Sequence, residues 1–113
     1  MRIDIRFHSL QPSRALRIYT ERLIASHLDR FSDDVRSVVV RIRDVNGPKG
    51  GPDKLCHITV RGRGFDPLVL EELSTDAYWA VDAAIKRTGH ALSRRLDRKR
   101  RRRNSAEPTE LRV

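Results

Sequence analysis

Along "RIDIRFH", Ile3, Ile5 and Phe7 alternate with Arg2, Asp4, Arg6 and His8, the period of two expected of a strand with one buried face. Residues 2 to 8 are therefore predicted to form the first strand. In "QPSRALRIYTERLIASHLDRF" the period changes: Leu16, Tyr19, Leu23, His27 and Phe31 recur at helical spacing behind Ser13, a residue type suited to capping the first turn. Arg14, Arg17 and Glu21 fall on the wet side of that helix. Alternation returns in "VRSVVVRIRDV", with Val38, Val40 and Ile42 on one side and Ser37, Val39, Arg41 and Arg43 on the other. "NGPKGGPDK" holds turn formers and no apolar anchor, so it is read as a connecting loop. "KLCHITVRG" follows as a third strand, with Cys56, Ile58 and Val60 on one face. "DPLVLEEL" follows as a fourth, either with Leu68 and Leu70 inward or in the register set by Val69 and Leu73.

From Thr75 the helical period resumes. Tyr78, Val81, Ile85, Thr88, Leu92 and Leu96 gather on one side of a helical wheel, and Lys86, Arg87, His90, Arg94, Arg98 and Arg101 on the other. Gly89 costs such a helix roughly 1 kcal/mol relative to Ala, which leaves open a bend there or the close approach of another element. The resulting order is β-α-β-β-β-α. A right-handed crossover through the first helix lets strand one pair in parallel with a neighbour, and hairpins join the other strands. The fold class is α+β, a four-stranded sheet with both helices on one face, similar to a double-stranded-RNA-binding domain. The other sheet face, carrying Arg2, Arg6, Arg41, Arg43, His57, Thr59 and Arg61, is left to solvent. Residues 1–103 are expected to be a single domain ending in a basic helix, and "NSAEPTELRV", aperiodic and holding Pro108, a disordered tail over 104–113.

A chain of 113 residues has room for one modest core. Its charge is unevenly placed: residues 86 to 103 hold ten Lys or Arg against the single acid Asp97, while the remaining positions balance to zero and the whole carries +9. A local basic patch attracts a polyanion. Arginine predominates in it, and the planar guanidinium suits bidentate phosphate contacts. Aromatic residues near the patch are few, so recognition of folded RNA by backbone and shape is expected more than base stacking. Cys56 is alone and sits in an apolar run, which fits a buried thiol and a reducing cytoplasm. Apolar stretches stay well short of the roughly 20 residues that span a bilayer, and "MRIDIRFHSL" does not resemble a signal peptide. A cytoplasmic protein without a membrane partner is expected.

Catalytic chemistry finds little support. His8, His27, His57 and His90 are scattered without metal-ligand spacing. "GPKGG" lacks the rest of a phosphate-binding loop. Adjacent Glu71 and Glu72 point to opposite sides of a strand, and Asp76 reads as the cap of the second helix. No catalytic residue, metal, cofactor or small-molecule substrate is therefore expected.

"ALRIYTERL" in the first helix, "STDAYWAVDAAI" opening the second, "KGGPDKLCHITVRGRGFDPL" and the order of elements together resemble a known family. Over about residues 1 to 100 the chain is similar to bacterial ribosome hibernation-promoting factors and ribosome-associated inhibitors, the ribosomal subunit interface proteins, in a short and divergent form. The resemblance implies binding to the small ribosomal subunit and its ribosomal RNA, occlusion of the tRNA and mRNA sites, and silencing of idle ribosomes under stress. It implies RNA contacts from Arg17 and Arg22 on the first helix and from Lys86, Arg87, His90, Arg94 and Arg98 on the second, and Arg95 and Arg101 extend that set along the run. Neither the dimerisation domain of long members nor the acidic tail of the inhibitor type is expected. A reading of another class is a regulatory protein-interaction module that uses the open sheet face, with the arginine run as a nonspecific RNA-binding arm.

Overall fold

The structure, a computed structural model, describes residues 1–45 and 51–111, with side chains up to Arg103. Strands β1 (Arg2–His8), β2 (Val35–Asp44), β3 (Lys54–Gly62) and β4 (Leu68–Ser74) form one sheet in the order β1-β2-β3-β4. Helix α1 (Arg14–Leu28) links β1 to β2, and α2 (Ala77–Leu111) follows β4. β1 pairs with β2 in parallel, whereas β2 with β3 and β3 with β4 are antiparallel. This is the expected topology, since a helical crossover returns the chain in the same direction and a short turn reverses it. Residues 46–50, the centre of the expected loop, lie outside the described residues. On its far side, Asp53 accepts a hydrogen bond from the Lys54 ammonium at 2.8 Å, with Asp44 at 3.3 Å. These partners, Asp53 first, hold the Lys54 ammonium above the usual lysine range.

The alternation read from the strands sets the sheet's two faces. Ile5, Val38, Val40, Ile42, Cys56, Ile58, Val60 and Leu68 are buried beneath the helices. Val69 and Leu73 stand about half exposed, at 50% and 49%, which settles the β4 register in favour of Leu68 and Leu70 inward. Full burial of an aliphatic side chain stabilises by about 1.5–3 kcal/mol, so the β-branched face of β2 and β3 is the main apolar floor of the fold.

In α1 the buried stripe is rotated from the one expected. Leu16, Thr20, Ile24 and Leu28 are buried, and Tyr19, Leu23 and His27 are flanking and partly covered. The cause is Thr20, whose hydroxyl donates to the Leu16 carbonyl at 2.7 Å and so enters the core without an unmet polar group. Thr88 in α2 does the same with the Ala84 carbonyl, also at 2.7 Å. Ser13 caps α1, its Oγ accepting from the Leu16 N–H at 3.1 Å. Asp76 caps α2 by accepting from the Tyr78 N–H at 2.8 Å.

Gly89 does not break α2. It is buried where α1 passes closest, and a Cβ built there would lie 3.3 Å from the His27 carbonyl oxygen. The glycine thus gives up helix propensity for contact between the helices. Past Arg103, where a tail was expected to begin, the backbone of α2 continues as helix to Leu111. Ala106, Glu107, Glu110 and Leu111 of the continuation are favourable helix formers, and Pro108 stands in its last turn.

Candidate nucleic-acid interface

Helix α2 carries two kinds of residue on two sides. Val81, Ala84, Ile85, Thr88, Leu92 and Leu96 are buried and hold the helix against the sheet and α1. At 100° per residue this phase turns His90, Arg94, Arg98 and Arg101 to solvent, where all four are exposed. With a rise of about 1.5 Å per residue, His90 to Arg101 spans roughly 16 Å. Among the described residues none of these four side chains has a carboxylate partner. The ridge therefore keeps its charge available.

Other cations beside the ridge, Lys86, Arg87 and Arg95 of the expected set among them, are already engaged. Lys86 pairs with Asp82 one turn earlier at 3.0 Å. Arg87 pairs with Glu72 of β4 and also reaches the Glu71 carbonyl at 3.4 Å. Arg95 donates to the Asp66 carbonyl at 2.8 Å and Lys99 to the Arg63 carbonyl at 2.8 Å, so both are fixed on the β3–β4 turn. A neutral carbonyl leaves the cation its full charge, whereas a carboxylate cancels it. Lys86 and Arg87 are thus the partly neutralised start of the basic face, and Arg95 and Lys99 its anchored, still cationic edge.

That edge closes an open notch of about 750 Å³ lined by Gly64, Phe65, Asp66, Arg95, Arg98, Lys99 and Arg102. Gly64 takes the left-handed conformation at φ 74°, and the Lys99 stem lies directly over it. Sequence pattern alone did not place Lys99, Arg102 or the turn in the site. Only the three-dimensional return of β3 toward α2 brings them together, and the glycine of "RGRGF" was the one local sign of a tight turn.

The two arginines of α1 part company. Arg17 turns toward the β1 side, its guanidinium 5.4 Å from the centre of the Phe7 ring. Arg22 lies one turn after Tyr19, whose ring meets Tyr78 of α2 edge-on at 5.0 Å between centroids. It is exposed, on the side of α1 opposite the buried stripe. Arg17 and Arg22 thus sit on different sides of α1. Among the described residues, no group of three or more His, Cys, Asp and Glu side chains could hold a metal ion.

The family model described as "Sigma 54 modulation protein / S30EA ribosomal protein" matches residues 3–103. The chain belongs to this family. Two solved structures resemble this S30EA-family chain. A ribosomal subunit interface protein from Coxiella burnetii has 21% identity and a TM-score of 0.72, covering 86% of this chain and 99% of its own. The N-terminal domain of Thermus thermophilus Protein Y has 28% identity and a TM-score of 0.68, covering 83% of this chain and 98% of its own. No curated protein matches the chain. The expected resemblance and fold class are thus established, and the S30EA assignment makes this a ribosome-associated factor of the hibernation type. No helix among the described residues is long and apolar enough to cross a membrane.

Proposed function

We propose that the protein silences ribosomes by laying the α2 ridge on ribosomal RNA of the small subunit, where it occludes the sites of tRNA and mRNA. The observation that carries this reading is the run of His90, Arg94, Arg98 and Arg101, exposed on one helix face and unpaired with any described carboxylate. Such a run is costly to the isolated fold, since like charges at i and i+4 destabilise a helix by about 0.2–0.5 kcal/mol per pair. A polyanion offsets that cost, and each phosphate neutralised releases counterions. Arg22, Arg95 and Lys99 widen the footprint, Lys86 and Arg87 join through the exposed parts of their side chains, and Arg17 touches the margin. Action is by binding and steric exclusion, without a catalytic step, in the cytoplasm where ribosomes work.

The test is sedimentation of the protein with small subunits and whole ribosomes at low and physiological salt, with free tRNA as competitor. One copy per small subunit, retained at physiological salt, is the expected result. Replacing Arg94, Arg98 and Arg101 by Gln is expected to abolish retention and to reduce the slope of log affinity against log salt by about 0.7–0.9 for each phosphate left without its cation. Failure of the wild-type protein to co-migrate, or loading of many copies that disappears as salt rises, overturns the reading.

A further inference from the structure

The face of the sheet turned away from the helices holds basic side chains in register. Arg6 of β1 lies directly beside Arg41 of β2, and Arg41 beside His57 of β3. His8 lies beside Arg43 in the next row. Arg2 and Arg61 flank Ser37 in another row of the same face. Neighbouring strands are only about 4.8 Å apart, and like charges directly opposite one another destabilise a sheet. The face has few acids to relieve this. Asp4 pairs with Arg6 at 2.7 Å, and Glu71 stands at the opposite edge on β4. Among the described residues Arg2, Arg41, Arg43 and Arg61 have no carboxylate partner.

The face is also divided. Its arginines crowd β1 and β2, with Arg61 at one end of β3, whereas β4 offers the half-exposed aliphatics Val69 and Leu73. An open sheet face on a water-soluble domain satisfies its solvent with mixed charges or neutral polar groups. Unpaired arginines spaced over neighbouring strands of one face are an arrangement that an array of phosphates neutralises.

We propose that the β1–β2 half of the open sheet face takes a second segment of RNA, so that the protein is held between two RNA surfaces, one on α2 and one on the sheet. This rests on the α2 ridge holding the first segment. The α2 ridge and the arginine rows lie on opposite sides of the molecule, separated by the sheet and the helix layer, so one RNA helix cannot lie along both.

The test is native mass spectrometry of the full chain with a short blunt RNA duplex, together with small-subunit binding, for the wild type and two variants. One variant replaces Arg2, Arg41 and Arg43 by Gln, and the other replaces Arg94, Arg98 and Arg101 by Gln. The wild type is expected to carry two duplexes and each variant one. The sheet variant is also expected to bind small subunits with a shallower salt dependence, by about 0.7–0.9 in slope for each arginine–phosphate pair removed. Its melting temperature should stay the same or rise, because the substitutions remove repulsion, and this separates weakened binding from impaired folding. A sheet variant that still carries two duplexes overturns the inference. If it carries two and yet loses the small subunit, the face is instead a protein-docking surface, and the inference is equally overturned. A wild type that carries one duplex, absent only in the α2 variant, overturns this inference and leaves the ribosomal RNA reading of α2 intact. One duplex absent only in the sheet variant overturns the α2 reading instead.

Discussion

From Ala80 to Leu96, α2 buries a side chain at every turn; from Asp97 to Arg103 it buries none. The first half exists because Val81, Ile85 and Leu92 leave water against the sheet and α1, and its one weak helix former, Gly89, is offset by close contact with α1. The second half has no core to join. It is helical because arginine and lysine favour helices, because it continues the rooted first half, and because Lys99 bonds to the Arg63 carbonyl of the β3–β4 turn. Stability is thus made in one half and kept out of the other, and the charges of the second half, Arg98 and Arg101 among them, continue an exposed ridge that His90 and Arg94 begin on the first. One helix rooted in a core can hold unfavourable charge beyond it.

Leu92→Ala should separate the halves most sharply. Leu92 is fully buried, and such truncations cost about 2–5 kcal/mol. Arg98→Ala, on the exposed second half, should stay within about 0.5 kcal/mol of the wild type. Urea denaturation of both variants checks this, and an equal cost at the two sites would break the comparison. Gly89→Val comes next, with an expected loss of about 1–3 kcal/mol from overpacking against α1. Gly89→Ala should be nearly neutral in the same assay. Its Cβ would meet the His27 oxygen at 3.3 Å, a contact relieved by a small shift, and it recovers roughly 1 kcal/mol of helix propensity.

Cys56 reports on the first half through pH. It lies on the helix-facing side of β3 beside Glu72, whose partner Arg87 belongs to that half. Burial, and then the Glu72 charge, push its thiol up to about 12. The unfolded thiol ionises near an ordinary value of about 8.5. Because the native state keeps the proton, this contribution is fully present below that value and falls by about 1.4 kcal/mol per pH unit above it, until the native thiol itself ionises. Wild type should therefore lose stability relative to Cys56→Ala between about pH 8 and about pH 10. A stability difference that does not change over that interval would mean that the first half opens enough to hydrate the thiol.

Much of this was legible in the sequence because the strands alternate cleanly. Val38, Val40 and Ile42, and Cys56, Ile58 and Val60, occupy the buried face that their spacing assigned. The α1 stripe was displaced because a threonine that satisfies its own hydroxyl, Thr20, does not register as apolar. The basic face of α2 was visible as a phase on a wheel, and its division was not. Pairing of Arg87 with Glu72, fifteen residues earlier, and of Lys99 with the Arg63 carbonyl depends on how β3 and β4 fold back beside the helix. No local pattern encodes such contacts. Arg17, read on the wet side, and Arg22, outside that set, were joined in one site only by the family resemblance, and the structure sets them on different sides of α1, Arg17 beside Phe7.

A small effect on stability is likewise expected of Lys99→Gln, and it tests the division within the second half. The Lys99 ammonium donates to the Arg63 carbonyl and its stem crosses Gly64, both at the exposed rim of the notch. An exposed contact of this kind contributes less than about 1 kcal/mol, so the denaturation midpoint should scarcely move. If Lys99 serves to anchor the helix while Arg98 meets phosphate, Arg98→Gln should lower the salt slope of small-subunit binding by about 0.7–0.9 and Lys99→Gln by clearly less. Equal slopes would mean that Lys99 leaves the carbonyl for a phosphate when RNA arrives. The second half would then be a uniform row of binding cations, held in place only by the helix that the first half roots.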